Sequence, residues 1–261
     1  PGGHVAATLT TMVSLEEKIV TRSSKPSPKN QISTDDLLSK LSKFPKQGVK
    51  GLMISVSHDN YREIVGGVQN CIQREEATAT ETGFTYLHLS PHEPRPCLAA
   101  ADGDPDVLVT VVLNGQTTGV VRMSSVTECV QQVSGGFSKV EVTVHHLMGH
   151  SPEQITALVR ATGNDRCWMW IHDFFTLCPS YALQRNNVAF CGAPALSSNA
   201  CNLCMYGKER RQHQDRMRAF FDALSIHVIT PSQFTTDFWS NKTDLTYVSL
   251  NTCSHMTVDF K

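Results

Sequence analysis

The sequence predicts an α/β domain built on a doubly wound, mostly parallel sheet. Three observations predict it. Short apolar runs of strand length alternate with amphipathic stretches of about 10 to 15 residues. The run "RCWMWIHDF" (166–174) shows no polar–apolar alternation, as a strand covered on both faces requires. The chain has 261 residues, 40% hydrophobic and 18% charged, enough for one large α/β domain or two small ones.

The elements follow in order. Residues 1–46 are poor in aromatics and rich in Ser, Lys and Thr, and "TRSSKPSPKNQIS" (21–33) reads as a polar linker. "TDDLLSKLSKF" (34–44) reads as a short amphipathic helix with Thr34 as N-cap and acids in its first turn. The domain is placed from residue 47 to residue 261. "VKGLMISVSH" (49–58) is a buried strand, and "GGVQNCIQREEATATETG" (66–83) a helix. In that helix Val68, Cys71, Ile72 and Ala79 share a face, and Gly83 ends it. "FTYLHLSP" (84–91) is the next strand. Two more, "DVLVTVVLNG" (106–115) and "TGVVRMS" (118–124), flank Asn114-Gly115, a strong hairpin signal. A short helix "SVTECVQQV" (125–133) precedes the strand "VEVTVHHLMG" (140–149).

"SPEQITALVRATG" (151–163) is the clearest helix. Ser151 is its N-cap, Pro152 takes the first helical position, Gln154 can close a capping box, and Gly163 ends it. After the "RCWMWIHDF" strand come a long helix "GKERRQHQDRMRAFFDALS" (207–225) and a strand "IHVITPS" (226–232). A short helix "SQFTTDFWS" (232–240) and a last strand "LTYVSLN" (245–251) follow.

Composition excludes some classes. The net charge of −1 argues against a dedicated nucleic-acid binder, which carries a basic patch and a high pI. No apolar run approaches the roughly 18 residues that cross a bilayer, and no signal peptide opens the chain. The reading is cytoplasmic. The chain begins "PGGHV", without Met, as a cloning remnant or the interior of a longer protein does.

In such a sheet, ligands bind outside the carboxyl ends of the strands. After the first strand, Gly66-Gly67 opens a helix whose N–H groups and dipole can receive a phosphate or another anion. A tight loop with no ligand explains the same glycines. At the end of a later strand stand His145, His146 and His150. Their spacing lacks the i, i+4 logic of a helical metal pair, so polar residues satisfied at a strand end are the better account than a zinc trio. His172-Asp173 closes the "RCWMWIHDF" strand. A histidine there can donate to a developing oxyanion or a sugar hydroxyl, or be hydrogen-bonded within the fold.

Nine cysteines are many for a chain without a secretion signal. Cys71, Cys97, Cys129, Cys167 and Cys253 are scattered and read as buried small hydrophobes. Cys178, Cys191, Cys201 and Cys204 cluster along a stretch, 178–206, with no convincing helix or strand. A loop that long needs a staple. Four thiolates around structural zinc, one or two disulfides, and free thiols are the alternatives, zinc placed first. The basic helix with Lys208, Arg210, Arg211, Arg216 and Arg218 reads as a solvated face, with peripheral contact to an anionic inner membrane surface as the other option.

Three motifs together resemble the N-terminal domain of retaining, family-4-like bacterial glycosyltransferases of the GT-B fold, of the rhamnan and polysaccharide-synthesis type. They are "GGVQ" after the first strand, "HHLMGHS" leading into a helix, and "IHDFFTLCPSYAL…CGAP…CNLC" followed by a basic helix and "HVITPSQF". The resemblance covers about residues 48–250. It implies a Rossmann-like domain, one of two that face each other across a cleft. It implies hexosyl transfer from a nucleotide-diphosphate sugar to a glycan or lipid-linked acceptor, with the acceptor held mainly by this domain. Gly66 and Gly67 then approach the diphosphate or the transferring sugar, and His172, followed by Asp173, approaches the donor sugar.

Two features depart from that family. The Asn114-Gly115 hairpin is foreign to its simple parallel sheet. No Glu-x7-Glu follows "TPSQF", so the donor-binding C-terminal domain is absent from this chain, and the chain alone is expected not to transfer sugar. A non-catalytic scaffold module of a larger protein is the competing class. The length of the natural gene beyond Lys261 separates the two. A nicotinamide oxidoreductase fares badly, because it wants Gly-x-Gly-x-x-Gly tight after the first strand.

Overall fold

The computed structural model describes residues 28–100 and 106–253. The polar segment expected at the N-terminus lies, up to residue 27, outside the described residues. From Ile32 on, the described chain belongs to one compact unit.

Helix α1 (Thr34–Leu41) is part of that unit rather than of a linker. Leu37 and Leu41, one turn apart, are fully buried in the main core. The N-cap is Ser33, not Thr34. The Ser33 hydroxyl accepts from the Asp36 N–H at 3.1 Å and the Asp36 carboxylate accepts from the Ser33 N–H at 3.2 Å, a closed capping box. A one-turn helix α2 (Lys43–Lys46) leads to the sheet.

The rest of the chain runs β1 (Gly51–Val56), α3 (Gly67–Glu81), β2 (Phe84–Pro91), β3 (Leu108–Leu113), β4 (Gln116–Arg122), α4 (Met123–Val133), β5 (Lys139–Val144), α5 (Pro152–Ala161) and β6 (Arg166–Trp170). A two-strand hairpin, β7 (Gln184–Arg185) and β8 (Ala189–Phe190), follows, then α6 (Gly207–Asp222), β9 (Ser225–Thr230), α7 (Gln233–Ser240) and β10 (Ser249–Thr252). Eight strands form the central sheet in the order β10-β9-β6-β5-β1-β2-β3-β4. Every pair from β10 to β2 is parallel, and β3 runs antiparallel to both its neighbours. This is a Rossmann-like, doubly wound α/β fold with one antiparallel hairpin added.

Local chemistry explains the punctuation. Asn114 and Gly115 both take positive φ, 46° and 76°, as a tight hairpin turn between twisted strands requires. The Asn114 side chain also accepts from the Tyr86 N–H at 2.8 Å, which ties the turn to β2. The free edge of β4 is met by the Ile32 N–H, which donates to Val120 O at 2.9 Å. Ser151 caps α5, accepting from the Gln154 N–H at 3.3 Å. The reciprocal half of the expected capping box is absent: the Gln154 amide instead donates to Asp106 and accepts from the Val107 N–H.

The two faces of the sheet are covered unequally. One carries α1, α4, α5, α6 and α7 over a continuous core from Leu37 to Leu245. On the other, α3 packs on β1 and β2 through Ile72, Ala79, Met53 and Tyr86. Further along that face an open groove of about 510 Å³ runs between Lys50, Trp168, Trp170 and Asn251. Burial of β1 on both faces explains why its residues show no polar–apolar alternation.

Candidate functional site

Connections leave β1 and β5 in opposite directions: β1 leads by α3 to β2 on one side, and β5 leads by α5 to β6 on the other. These adjacent strands therefore mark the topological switch point, where doubly wound folds open a crevice. A cleft of about 500 Å³ lies there, lined by His58, Asp59, Pro94, Arg95, Pro96, His146, Met148, Asp173 and Tyr181.

The strand ends build it. After β1, His58 Nε2 lies 3.2 Å from Asp59 Oδ2. After β5, the ring of His146 packs on that of His58, centroids 4.6 Å apart. The Met148 N–H donates to His146 Nδ1 at 3.0 Å, so the proton sits on Nε2, which donates to Asp173 Oδ2 at 3.1 Å. The other Asp173 oxygen accepts from the Phe175 N–H at 2.9 Å and fixes the turn after β6. Burial, then the neighbouring His146 ring, hold His58 below the usual histidine range.

The helix start at Gly66 and Gly67 is tied to Asp59 of the cleft through Gln69. Gly66 is the N-cap of α3 in extended backbone, and no side chain caps the helix. A Cβ on Gly66 would come within 2.5 Å of Gln69 Oε1. The other end of that amide donates to Asp59 Oδ2 at 3.4 Å. Space around Gly67 is open. An anion at this helix start would meet backbone N–H groups with little side-chain obstruction.

A second, buried layer lies behind the cleft. His145 Nδ1 and His172 Nε2 face each other at 3.0 Å, and the half-buried His172 stacks on Trp170, centroids 4.9 Å apart. On its far side His145 Nε2 stands 3.3 Å from Glu75 Oε1, outside hydrogen-bond alignment. Glu75 is fully buried on α3 and accepts from Tyr86 Oη at 2.7 Å. Cys71, one turn earlier on α3, completes the group: one ligand atom from each of Cys71, His145 and His172 lies within 4.8 Å of the others. Burial, then Glu75 and Cys253, push the Cys71 thiol up to about 12.

The "HHLMGHS" histidines diverge, so they make no zinc trio. His145 turns to His172, His146 to Asp173, and His150 donates from Nε2 to Ser57 O at 2.8 Å. His88 on β2 sits between Ser55 and Ser57, 3.2 Å from each hydroxyl. Sequence reasoning missed His58, Asp59, His88 and Glu75 and took Cys71 for a plain core residue. The rule of strand carboxyl ends, applied to "SHD" after β1, reaches the first two.

The cysteine-rich loop is differently made. Cys178, Cys191, Cys201 and Cys204 line one cavity of about 270 Å³. No three of them come within the 4.8 Å spacing that gathers Cys71, His145 and His172. The thiols are unpaired in disulfides. Of the scattered five, Cys71, Cys129 and Cys167 are buried, whereas Cys97 and Cys253 are partly exposed.

The loop is stapled by α6. The buried Arg210 guanidinium donates to Leu177 O at 3.2 Å, Pro194 O at 2.8 Å and Cys201 Sγ at 3.0 Å. His213 Nε2 donates to Phe175 O at 2.6 Å and Gln214 to Leu177 O at 2.7 Å. The basic helix is thus not a plain solvated face. Arg216 pairs with Glu153 at 2.6 Å and Arg218 with Asp244 at 2.6 Å, which leaves Lys208 and Arg211 exposed. Nothing here favours a membrane surface over water, and no helix among the described residues is long and apolar enough to cross a membrane.

No family model, no curated protein and no solved structure matches this chain.

Proposed function

We propose that this chain is the acceptor-side domain of a GT-B glycosyltransferase, one that moves a sugar from a nucleotide-diphosphate donor to a glycan or lipid-linked acceptor. One observation carries the reading. The start of the glycine helix and Asp173, far apart in sequence, are linked by a relay of side-chain contacts along the strand ends. Gln69 of the helix touches Asp59, Asp59 touches His58, His58 packs on His146, and His146 donates to Asp173.

The chemistry suits that arrangement. As the glycosidic bond breaks, charge grows on the leaving diphosphate. Uncapped N–H groups at the start of α3 stabilise that charge more than the ground state. The cleft beside them offers two carboxylates, an imidazole pair, Arg95 and Tyr181, a set that both accepts from and donates to sugar hydroxyls. His172 stands half-buried behind that cleft, its Nε2 on His145. The diphosphate's basic ligands belong to a facing domain, so donor affinity of this chain alone is low.

Calorimetric titration tests this. Neutral oligosaccharides should bind the chain, and Asp59→Ala and Asp173→Ala should each weaken binding about tenfold or more, a loss of about 1.4 kcal/mol. Nucleotide-diphosphate sugars should bind weakly or not at all. Tight nucleotide-sugar binding would sink the acceptor-side assignment. Absence of oligosaccharide binding would sink the glycosyltransferase reading.

A further inference from the structure

The buried layer behind the cleft is more than a support for His172. We propose that Cys71, His145 and His172 form a binding site for a zinc-class divalent metal ion, with Glu75 as the carboxylate that orients His145.

Three separate elements bring the ligands together: α3 carries Cys71, the end of β5 carries His145, and the turn after β6 carries His172. One thiolate and two imidazoles are a donor set for zinc and its neighbours, not for calcium or magnesium. Bond lengths of about 2.0–2.1 Å to nitrogen and 2.3 Å to sulfur place ligand atoms roughly 3.5 Å apart around a tetrahedral ion. The facing nitrogens of His145 and His172 are 3.0 Å apart, and all three ligand atoms lie within 4.8 Å. Small side-chain rotations close the set.

The carboxylate is the independent observation. A metal-bound histidine donates its second ring N–H to a carboxylate or carbonyl, which fixes the tautomer and strengthens the ligand. His145 is placed for that arrangement: Nδ1 faces His172, and Nε2 stands 3.3 Å from Glu75 Oε1, short of hydrogen-bond alignment. Glu75 is fully buried, yet its Oε2 has no hydrogen-bond partner among the described residues. A buried carboxylate with one hydroxyl donor is costly. A cation on the far side of the His145 ring supplies the counter-charge. Cys71 and Glu75 stand four residues apart on α3, so one helix face delivers both the thiolate and the orienting acid.

Three protein ligands leave a tetrahedral position for water or a substrate oxygen, as catalytic zinc sites do. His172 is the ligand nearest the surface and opens that position toward the sheet edge. The site is distinct from the loop cysteines, and it stands whether or not the chain transfers sugar.

The test is metal titration of the full chain after chelator treatment and reduction, with Co(II) and Zn(II) as the probes. Expected is one equivalent of Co(II) with a thiolate-to-cobalt charge-transfer band. Cys71→Ser should lose that band, while the double variant Cys201→Ser with Cys204→Ser should keep it. Glu75→Gln should weaken binding about 10–100-fold. A buried substitution can harm folding, so the thermal midpoint of His172→Gln, changed at the half-buried ligand, is measured with and without Zn(II). The parent chain should gain stability with Zn(II), and His172→Gln should not. Three results would overturn the site: an unchanged cobalt band in Cys71→Ser, equal stabilisation of His172→Gln, or a Cys71–Cys253 disulfide in the peptide map of the isolated chain.

Discussion

The sheet edge and the cysteine-rich loop both concentrate reactive side chains, but they are assembled in opposite ways. At the edge, groups from β1, β2, α3, β5 and the turn after β6 converge to contacts near 3 Å, although they span more than a hundred residues. In the loop, cysteines that are neighbours in sequence share a cavity without closing to ligand spacing. Backbone carbonyls gathered by Arg210, His213 and Gln214 hold that loop instead. Proximity along the chain is thus a poor guide to which groups act together. A parallel sheet is a better one, because its register fixes which strand ends are neighbours.

The largest effect expected is of pH, and it touches both regions. Burial holds His88 down to about 3 and both His150 and His213 down to about 4. The unfolded chain, titrating near 6.5, binds protons that the folded chain refuses. The stabilisation from these neutral rings is complete above about pH 6.5 and is lost as pH falls toward the lowered values. Each histidine adds a slope approaching roughly 1.4 kcal/mol per pH unit. Urea unfolding at pH 7, 6 and 5 should show a steadily falling midpoint. Replacement of His213, the one under the loop, by Gln should remove about a third of the slope. A flat profile between pH 7 and 5 would mean that the buried rings are not kept neutral by the fold.

Arg210→Ala comes next and breaks the comparison directly. The guanidinium is buried and serves two carbonyls and a sulfur on the loop. Hydrogen bonds from a charged donor contribute about 1.5–3 kcal/mol, so a loss of about 3 kcal/mol is expected. Limited proteolysis should then cut between residues 178 and 206 while the sheet stays intact. Continued protection of the loop would show that the cysteines, through a metal, hold it without the arginine.

At the edge, Tyr86→Phe should cost about 1–3 kcal/mol, because it removes the one hydroxyl that bonds to the buried Glu75 carboxylate. Zn(II) should recover part of that loss by strengthening the charge opposite Glu75. A loss unaffected by Zn(II) would separate Glu75 from the proposed ion and leave it a purely structural acid.

Much of the fold could be read from the sequence because strand burial writes itself as apolar runs and helix ends as Ser, Pro and Gly. Gly83 and Gly163 do stop their helices with positive φ. The errors have physical causes. Ser33 and Thr34 are both good N-caps, and only the reach of Asp36 back to Ser33 decides between them. The Leu37–Leu41 spacing was a core signal hidden in a polar neighbourhood. At the site, His172-Asp173 stood out because a strand ends there. Glu75 did not, because "QREEATATE" is a sequence any solvated helix face can carry. Only the packing of α3 on β1 and β2 turns that one acid inward, onto Tyr86. The β7–β8 hairpin is invisible in the sequence because its strands are two residues each, too short to show a period.

That hairpin offers the smallest and sharpest test. Asn186 and Asn187 hold positive φ, 55° and 61°, at its turn, a conformation that glycine adopts at lower cost. Backbone preference alone makes Asn186→Gly neutral or slightly stabilising. The side chain argues the reverse. Its amide donates to Leu203 O at 3.1 Å and its oxygen accepts from the Met205 N–H at 2.8 Å, so Asn186 binds the hairpin to the segment that carries Cys201 and Cys204. Both bonds are exposed, and their loss should cost about 1 kcal/mol net. The matched variant Asn187→Gly loses an acceptor for Tyr206 Oη, 2.7 Å away, and a weak donor contact to Met205 Sδ at 3.7 Å, and should cost less. Urea midpoints of the two, compared with the parent, decide between local turn strain and loop stapling as the reason these asparagines stand there. Equal, near-zero shifts would return the hairpin to a simple turn and leave Arg210 and its helix as the loop's main support.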